Sequence, residues 1–344
     1  MAKIALDKVS FTYPSADKAT LANLSLQIAQ GESHALLGAS GAGKTTLLNV
    51  LSGLLQPSSG QIFFDDIEVS QLSGRQRQVA QVFQFPVLYE SLNVADNLAF
   101  PLRVQKLTKS KVNARVDYIC GELGLDAVRQ AKPKSLSLFE KQLVAVGKAL
   151  VRPDVSLVLL DEPLTAVEPK IKWRLRQTLR KVQAEFGVTM IYVTHDQTEA
   201  LTFADRVSVL TADGIVQTDT PQAVYQSPAH EFVGHFVGSP GMNFVPADVL
   251  SIPGAQRVGF RSEWASLVTR APLMGVIKRQ RVQGTRKGKV YGLVTVQTAF
   301  GPIYVRGDLA DGGADAALGT AVGVQVDRYV AFANQQKVAE SDRL

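Results

Sequence analysis

The chain has 344 residues, of which 46% are hydrophobic, and a formal net charge of +6. This length allows two domains with sizeable cores, and no apolar run approaches the about 20 residues that a membrane-spanning helix needs. The single cysteine, Cys120, excludes an intrachain disulfide, and the first residues lack the apolar core of a signal peptide. We therefore expect a globular protein of the cytosol.

The positive charge is concentrated in one short stretch. The chain has 37 basic and 31 acidic residues. Without one group of basic residues that lie close together in the sequence with no acid among them, the net charge would be near zero. These residues are Lys278, Arg279, Arg281, Arg286, Lys287 and Lys289. A solvated basic hairpin is the simpler interpretation, and a surface for anions or a membrane is the alternative. We expect no nucleic-acid partner.

The N-terminal part is organised around a glycine-rich loop. Residues 3–9 and 24–28 have the pattern of strands, residues 33–37 form a short apolar strand, and residues 45–54 carry apolar side chains at helical spacing. Between the last two segments, Gly38–Thr46 reads GASGAGKTT and fits Gly-x-x-x-x-Gly-Lys-Thr. A strand, this loop and a helix in that order predict a phosphate-binding P-loop.

Each residue type in the loop has a chemical reason. Gly38, Gly41 and Gly43 lack a Cβ, so the backbone can wrap tightly and aim its N–H groups inward, beside the positive end of the next helix. Lys44 can reach the β- and γ-phosphates of a nucleotide, and Thr45 can ligate Mg²⁺. A glycine-rich turn that matches by accident is the alternative, and the flanking strand and helix argue against it.

Strand and helix patterns alternate further along the chain. The predicted elements are strands at 61–64 and 79–83, helices at 109–123 and 137–151, a strand at 155–160, a helix at 169–186, a strand at 188–193, a hairpin around Asp213-Gly214 and a short helix from Pro221. The stretch 86–152 is predominantly helical, which predicts a helical insertion. Two helix starts fit a capping box, Ser137 with Glu140 and Asp196 with Glu199.

The composition shifts near Gly238-Ser239-Pro240-Gly241. Beyond it come short β-rich runs separated by glycine turns, and a helical pattern is scarce. We predict two domains, residues 1–237 with a helical insertion at about 86–152, and a β-rich domain over residues 238–344.

Polar residues lie at the ends of three predicted strands: Gln84, Asp161-Glu162 and His195. In a parallel sheet these ends face one crevice, where ligands bind. Asp161 could hold Mg²⁺ there, and Glu162 could deprotonate a water. Singly, each has a simpler interpretation: a helix cap for Asp161, a surface charge for Glu162, and a polar strand end for Gln84 and His195.

In this order and spacing the motifs resemble those of the ATPase subunit of ABC transporters, along the whole chain. The resemblance implies an α/β P-loop ATPase domain with a helical insertion, followed by a small all-β, OB-like regulatory domain. It implies ATP and Mg²⁺ as ligands, Glu162 as catalytic base and His195 as the switch histidine. The nucleotide-binding residues that it implies are Tyr13 (stacked on adenine), Gly38, Ser40, Gly41, Gly43, Lys44, Thr45, Thr46 and Gln84, with Thr45, Gln84 and Asp161 at the metal.

Three further segments resemble the importer motors for sugars and polyols: HDQTEA at His195–Ala200, GSPGMNF at Gly238–Phe244 and VGFRSE at Val258–Glu263. The resemblance implies a head-to-tail pair of ATPase subunits, two membrane permeases that dock on the region from Gln84 to Arg103, and a periplasmic or surface solute-binding protein. It implies a peripheral subunit at the cytoplasmic face of the inner membrane. The solute would be a sugar or a polyol, and a glycerol importer with two different ATPases is one specific case.

One motif departs from the family pattern. Where the family has Leu-Ser-Gly-Gly-Gln, residues 136–140 read Leu-Ser-Leu-Phe-Glu, and Glu168 stands where Asp is usual. In the family this serine and the glycines approach the γ-phosphate held by the partner subunit. Leu138 and Phe139 add bulk there, and Glu140 adds a negative charge beside Ser137. We therefore predict a heterodimer in which this chain's P-loop pairs with an intact signature on a different ATPase.

Two other functions are open from the sequence. A soluble, nucleic-acid-associated ABC ATPase usually carries two cassettes or long coiled coils, and this chain has neither pattern. A nucleotide-binding regulatory subunit with little hydrolysis is the other, and Glu162 and His195 argue against it.

Overall fold

A computed structural model describes residues 2–165, 167–286, 289–308 and 318–341. They fall into two units, Met1–Pro221 and Gln222–Leu344. The boundary predicted between residues 237 and 238 lies beyond the end of the first unit, and it stays a prediction of where a fragment could fold alone.

The first unit contains ten strands and six complete α-helices in its described residues. The strands are β1 (Ile4–Phe11), β2 (Leu21–Ile28), β3 (Ser33–Gly38), β4 (Ser59–Phe64), β5 (Ile67–Glu68), β6 (Val79–Val82), β7 (Leu157–Asp161), β8 (Met190–Thr194), β9 (Arg206–Thr211) and β10 (Gly214–Asp219). The helices are α1 (Lys44–Ser52), α2 (Val94–Val104), α3 (Lys109–Leu123), α4 (Leu138–Leu150), α5 (Pro169–Phe186) and α6 (Gln197–Phe203).

The larger sheet of this unit has the order β10-β9-β3-β8-β7-β6. All its strands are parallel except the edge strand β10, which forms the predicted hairpin with β9. Central parallel strands are covered on both faces, and every residue of β3 is accordingly buried. The loops that follow β3, β7 and β8 therefore emerge at the same edge of the sheet.

A second, antiparallel sheet with the order β2-β1-β4-β5 completes the core of the first unit. Leu47, Leu48, Val50 and Leu51 of α1 are fully buried in one cluster with apolar side chains from both sheets. The helix that follows the glycine-rich loop is thus fixed from two sides, which also fixes the position of the loop.

A buried arginine holds the other end of α1. Arg77 donates hydrogen bonds to the carbonyls of Val50 (2.6 Å), Leu51 (3.0 Å), Ser70 (2.8 Å) and Leu72 (2.8 Å). A cation at this position also offsets the negative end of the helix dipole. Burial lowers the pKa of Arg77 to about 10, so the side chain stays charged at neutral pH.

The structure confirms the main sequence predictions for this unit. Helices α3 and α5 have the bounds that helical spacing predicts, and α4 begins one residue after the predicted start at Ser137. Within the described part of the chain, none of the helices combines the length and apolar character that crossing a membrane requires.

The second unit is built mainly of antiparallel strands. Its helices are α7 (Pro221–Gln226, which starts at the last residue of the first unit) and α8 (Glu231–Phe236), and its strands are β11 (Asn243–Pro246), β12 (Arg257–Phe260), β13 (Ala265–Val268), β14 (Leu273–Arg286), β15 (Lys289–Thr298), β16 (Gly301–Asp308), β17 (Ala321–Val326), β18 (Tyr329–Ala333) and β19 (Gln336–Ser341). They form two sheets, β11-β12-β18-β19 and β13-β17-β14-β15-β16.

Beyond residue 238 the described chain holds only strands and short 3₁₀ helices, which confirms the predicted β-rich tail and, with the first unit, the fold class. The last β-rich run, over residues 322–331, contains two strands, since a bend at Asp327-Arg328 separates β17 from β18. The long hairpin of β14 and β15 carries the basic cluster. Lys278, Arg279 and Arg281 are exposed on it, whereas residue 287 and the side chains at positions 286 and 289 lie outside the described residues.

The second unit also contains a fully buried arginine. Arg261 donates hydrogen bonds to the carbonyls of Tyr225, Gly234 and Val237, and its guanidinium lies 4.3 Å from the centroid of the Tyr225 ring. Burial lowers the pKa of Arg261 to about 10. This one side chain therefore ties the segment of α7 and α8 to the end of β12.

Candidate nucleotide-binding site

A cleft of about 570 Å³ lies at the edge of the parallel sheet where β3, β7 and β8 end. Its lining brings together most of the residues that the sequence singles out: Thr20, Ser40, Gly41, Gly43, Lys44, Thr45, Thr46, Glu162 and His195. Three segments far apart in the chain thus meet around the predicted P-loop.

Two glycines of the loop are required by its backbone. A Cβ at Gly38 would lie 2.4 Å from the carbonyl oxygen of Leu210, so only glycine allows β3 to approach β9 so closely at this point. Gly43 has φ +88° and serves as the N-cap of α1 without any side-chain cap. The first N–H groups of α1 are consequently left for a ligand rather than for a side chain.

Lys44 is buried against the loop that precedes it. Its Nζ donates hydrogen bonds to the carbonyls of Gly38 (2.8 Å) and Ala39 (2.9 Å). Burial lowers the pKa of Lys44, and the nearby carboxylates of Glu162 and Asp161 partly oppose that effect. The arrangement places a cation where the phosphates of a nucleotide would add negative charge.

Glu162 lies at the centre of a small hydrogen-bonded group. Its Oε1 is 3.0 Å from Nδ1 of His195, and its Oε2 accepts a hydrogen bond from the Thr165 hydroxyl at 3.0 Å. Burial by itself would raise the pKa of Glu162, but these two hydrogen bonds and the charges of His195 and Lys44 outweigh it, and the pKa is lowered. Glu162 is therefore an ionised carboxylate that can accept a proton at neutral pH.

The backbone at Glu162 is held in an uncommon conformation. Its φ is +44°, in the left-handed region, and its N–H donates to the carbonyl of Val193 at 3.0 Å. Such a conformation costs free energy, and it aims the carboxylate across the cleft toward His195.

Asp161 and Thr45 form a second polar pair. Burial and the neighbouring charge of Glu162 raise the pKa of Asp161, whereas the charge of Lys44 and a hydrogen bond with Thr45 lower it in part. A hydroxyl and a carboxylate are oxygen ligands that suit Mg²⁺, which binds few protein groups and takes its remaining ligands from phosphates and water. The residues present therefore fit a magnesium ion bound together with a nucleotide.

Four of the predicted ligands lie outside the lining of the cleft: Gly38 and Asp161, described above, and Gln84 and Tyr13. Gln84 is half-buried in the loop after β6 and is not among the residues that line the cleft. The Tyr13 hydroxyl is 3.2 Å from the Thr46 hydroxyl, and its ring packs edge-on against Phe11. Tyr13 therefore packs against Phe11 and also lies next to the P-loop. The roles of Gln84 and Tyr13 toward a nucleotide stay predictions.

Sequence reasoning missed two residues of the site. Thr20 lines the cleft from the segment before β2, and no local motif marks it. Thr165 holds Glu162 from the loop after β7, and its place three residues after Glu162 is the only signal that could have found it.

The divergent signature segment starts α4 with a complete capping box, as predicted. Glu140 Oε2 accepts from both the Ser137 N–H (2.8 Å) and the Ser137 hydroxyl (2.7 Å), and the Glu140 N–H donates back to the Ser137 hydroxyl (3.3 Å). The guanidinium of Arg174 lies 5.2 Å from the centroid of the Phe139 ring. Leu138 is exposed beside them.

The second predicted capping box, at Asp196, is wrong. Asp196 does cap α6, since its side chain accepts from the N–H groups of Thr198 and Glu199. Glu199 does not return the bond, because the Asp196 N–H donates to the Thr194 hydroxyl instead, and the Glu199 carboxylate is buried among other partners.

Comparison with known proteins agrees with this geometry. Residues 21–165 match the family model described as ABC transporter. The sn-glycerol-3-phosphate import ATP-binding protein UgpC of Ruegeria pomeroyi is 41% identical over 247 residues, which cover 72% of this chain and 70% of that protein. The chain belongs to the ABC transporter family.

Other family members give the same picture. The trehalose/maltose import ATP-binding protein MalK of Thermococcus litoralis is 42% identical over 232 residues, covering 66% of this chain, and the match spans 62% of that relative's length. The structure of cbiO1 from Clostridium perfringens, part of an ABC transporter complex, has a TM-score of 0.61 at 27% identity and covers 65% of this chain and 90% of its own. The predicted resemblance to importer ATP-binding subunits is confirmed.

Proposed function

We propose that this ABC protein binds ATP with Mg²⁺ and hydrolyses the ATP to power an importer for a sugar or a polyol, glycerol among them. The observation that supports hydrolysis most is the ionised carboxylate of Glu162, which faces the P-loop cleft and is held by His195 and Thr165. A regulatory subunit that only binds nucleotide would have no need of this group.

The P-loop residues bind and orient the phosphates. Lys44 and the uncapped N-terminus of α1 supply a positive charge and N–H donors on the same side of the cleft. Thr45 and Asp161 hold Mg²⁺, which when bound neutralises charge on the phosphates.

Glu162 acts on the attacking water. It accepts a proton from the water while the water oxygen forms a bond to the γ-phosphorus, and the bond from that phosphorus to the bridging oxygen breaks, so ADP leaves. His195 and Thr165 each hold one carboxylate oxygen, which keeps the base directed at one position. A positioned base of this kind contributes about 100- to 10,000-fold to the rate.

The permease partner would dock on a separate groove of the same unit. A groove of about 970 Å³ runs between the segment after β6 and the helices α2 and α4, and the region predicted for permease contact, Gln84 to Arg103, forms part of it. Its exposed apolar side chains include Phe83, Val87, Tyr89 and Val104. An apolar, concave surface of this size suits a short apolar segment of another protein.

The signature segment supports a partner that is a different ATPase. In this chain the Ser137 N–H and hydroxyl are already occupied by Glu140, and a carboxylate would face the partner's phosphates. Two copies of this chain would share that defect at both sites. A different ATPase with an intact signature would instead complete the site around Glu162. The other site, formed by the partner's P-loop and the signature segment of this chain, would then hydrolyse ATP slowly.

The test is to purify the complex with the two permeases and a second ATPase, and to change the catalytic glutamate of each ATPase to glutamine separately. We expect Glu162→Gln to abolish most of the hydrolysis and the partner's variant to remove little. Equal losses would contradict the asymmetric pair, and strong hydrolysis by this chain alone would contradict the need for a different partner. Unchanged turnover in Glu162→Gln would instead favour the regulatory interpretation.

A further inference from the structure

A buried carboxylate lies behind His195. Glu199, in α6, is 1% exposed and accepts hydrogen bonds from Lys172 Nζ, the Tyr192 hydroxyl and the Thr194 hydroxyl, each at 2.9 Å. A carboxylate is costly to bury unless it is paired and hydrogen-bonded, and here both conditions are met. None of the steps described for ATP uses this group.

Its partners surround the residue that faces Glu162. Tyr192 and Thr194 belong to β8, which ends immediately before His195. The Thr194 hydroxyl donates to Glu199 and accepts from the Asp196 N–H at 2.9 Å. The residues on both sides of His195 are therefore fixed, directly or through one hydroxyl, to the same carboxylate.

The His195 side chain itself has few restraints. It is 54% exposed, and Glu162 Oε1 is its one hydrogen-bond partner within the described residues. The position of its ring is consequently set by the backbone of residues 194–196, which Glu199 anchors. Tyr192, which hydrogen-bonds to Glu199, is itself held in place, since it is fully buried and the centroid of its ring lies 4.8 Å from that of Phe203.

Lys172 connects this anchor to another part of the site. It lies in the first turn of α5, directly after the loop that contains Thr165, the second partner of Glu162. Its Nζ also lies 4.0 Å from Asp196 Oδ2. The two segments that hold Glu162, one with His195 and one with Thr165, are thus linked through the pair of Lys172 and Glu199.

We propose that Glu199 is a positioning residue for ATP hydrolysis: its buried carboxylate, with Lys172, sets the turn of residues 194–196 so that His195 meets Glu162. This role rests on the proposed function for its effect on turnover. The alternative is a purely structural polar group that stabilises the packing of α5 and α6 on β8.

A double-mutant cycle separates the two roles. In the complete transporter complex, Glu199→Gln should lower kcat by about 10- to 100-fold, as loss of an orienting partner typically does, and change the KM for ATP by about twofold or less. In a His195→Ala background the same change should lower kcat by about twofold or less, because residues that act as a unit are non-additive. Equal losses in both backgrounds would overturn the proposal.

Variants at Lys172 keep the test decisive if Glu199→Gln folds poorly, because Lys172 is partly exposed. Lys172→Met should reproduce the loss of kcat, and Lys172→Arg should retain most of the activity. Glu32→Gln is the matched control: Glu32 is also paired with a histidine, His34, but lies outside the cleft lining. A loss of kcat in that control equal to the loss in Glu199→Gln would overturn the proposal.

A readout without hydrolysis tests the geometry directly. The chain has four histidines, so the ring signal of His195 can be assigned by NMR from its absence in His195→Ala. Glu199→Gln should shift this signal and leave that of His34 unchanged. If the wild-type complex hydrolyses no ATP, the proposed function fails and this measurement alone decides the positioning role. An unmoved His195 signal would overturn it.

Discussion

The helices α1 and α4 both begin at motifs that ABC proteins direct at phosphate, yet their first turns differ. Helix α1 starts at Gly43 with no side-chain cap, so its N–H groups are left for a ligand. Helix α4 starts with a complete capping box, in which Ser137 and Glu140 satisfy each other. An uncapped helix start can bind a ligand, whereas a capped one stabilises its own helix, and this chain has one start of each kind.

The largest expected effect concerns the cleft at the uncapped start of α1. Glu162→Gln should lower ATP turnover of the complete transporter by about 100-fold or more, because it removes the proton acceptor, and should leave ATP binding nearly unchanged. Single-turnover hydrolysis and nucleotide binding, measured on the same preparation, separate the two. If binding and turnover fall together, Glu162 acts on the fold of the cleft rather than on water.

Lys44→Ala should act on binding itself. It removes the cation next to the P-loop, and hydrogen bonds to charged groups are worth about 1.5–3 kcal/mol, so the Kd for ATP should rise roughly ten- to a hundredfold. Isothermal titration with a slowly hydrolysed ATP analogue measures this change. Lys148→Ala is the control: it also removes a lysine, but one that lines the groove proposed for the permease and not the P-loop cleft, so the Kd should stay unchanged.

At the capped start of α4 we expect an effect on stability instead. Glu140→Ala removes the acceptor of the Ser137 N–H and hydroxyl, and should lower the free energy of unfolding by about 1 kcal/mol. The affinity of this chain's own P-loop for ATP should not change. Glu90→Ala, at an exposed carboxylate before α2, is the control for loss of charge alone. A marked loss of ATP affinity in Glu140→Ala would break the separation between the two helix starts.

The smallest effect is expected at Tyr13. Tyr13→Phe removes one partly exposed hydrogen bond to Thr46 and keeps the aromatic ring, so ATP affinity should fall by about fivefold or less. Tyr13→Ala should weaken binding more if the ring stacks on adenine, as the family resemblance implies. Identical affinities for the two variants would assign Tyr13 to the hydroxyl contact alone.

The sequence predicts those parts of the site that local patterns encode. The P-loop, Asp161-Glu162 and His195 each follow a short buried strand, and the rule for parallel sheets brings them to one edge. The capping box at Ser137 depends on residues three positions apart, which a sequence pattern can indicate. The similar spacing at Asp196 misleads, because Tyr192, Thr194 and Lys172 draw the Glu199 carboxylate away from the helix start.

What the sequence does not indicate depends on long-range contacts. Thr20 reaches the cleft from a loop without a motif, and Gln84 ends a predicted strand but lies outside the cleft lining. Arg77 and Arg261 would be expected at the surface from their charge, yet both are buried on backbone carbonyls. The strands β11 and β13, with four residues each, are too short to show a clear alternation, and β19 is exposed along nearly its whole length, so it has no buried face to alternate with an exposed one.

Arg261 has a consequence for exchanging parts between relatives. Its acceptors are the carbonyls of Tyr225, Gly234 and Val237, and all three precede the composition shift at Gly238. A chimera joined between residues 237 and 238 would take the arginine from one protein and its carbonyls from another. A chimera joined at Pro221 would take Arg261 and all three acceptor carbonyls from the same protein, and should fold better.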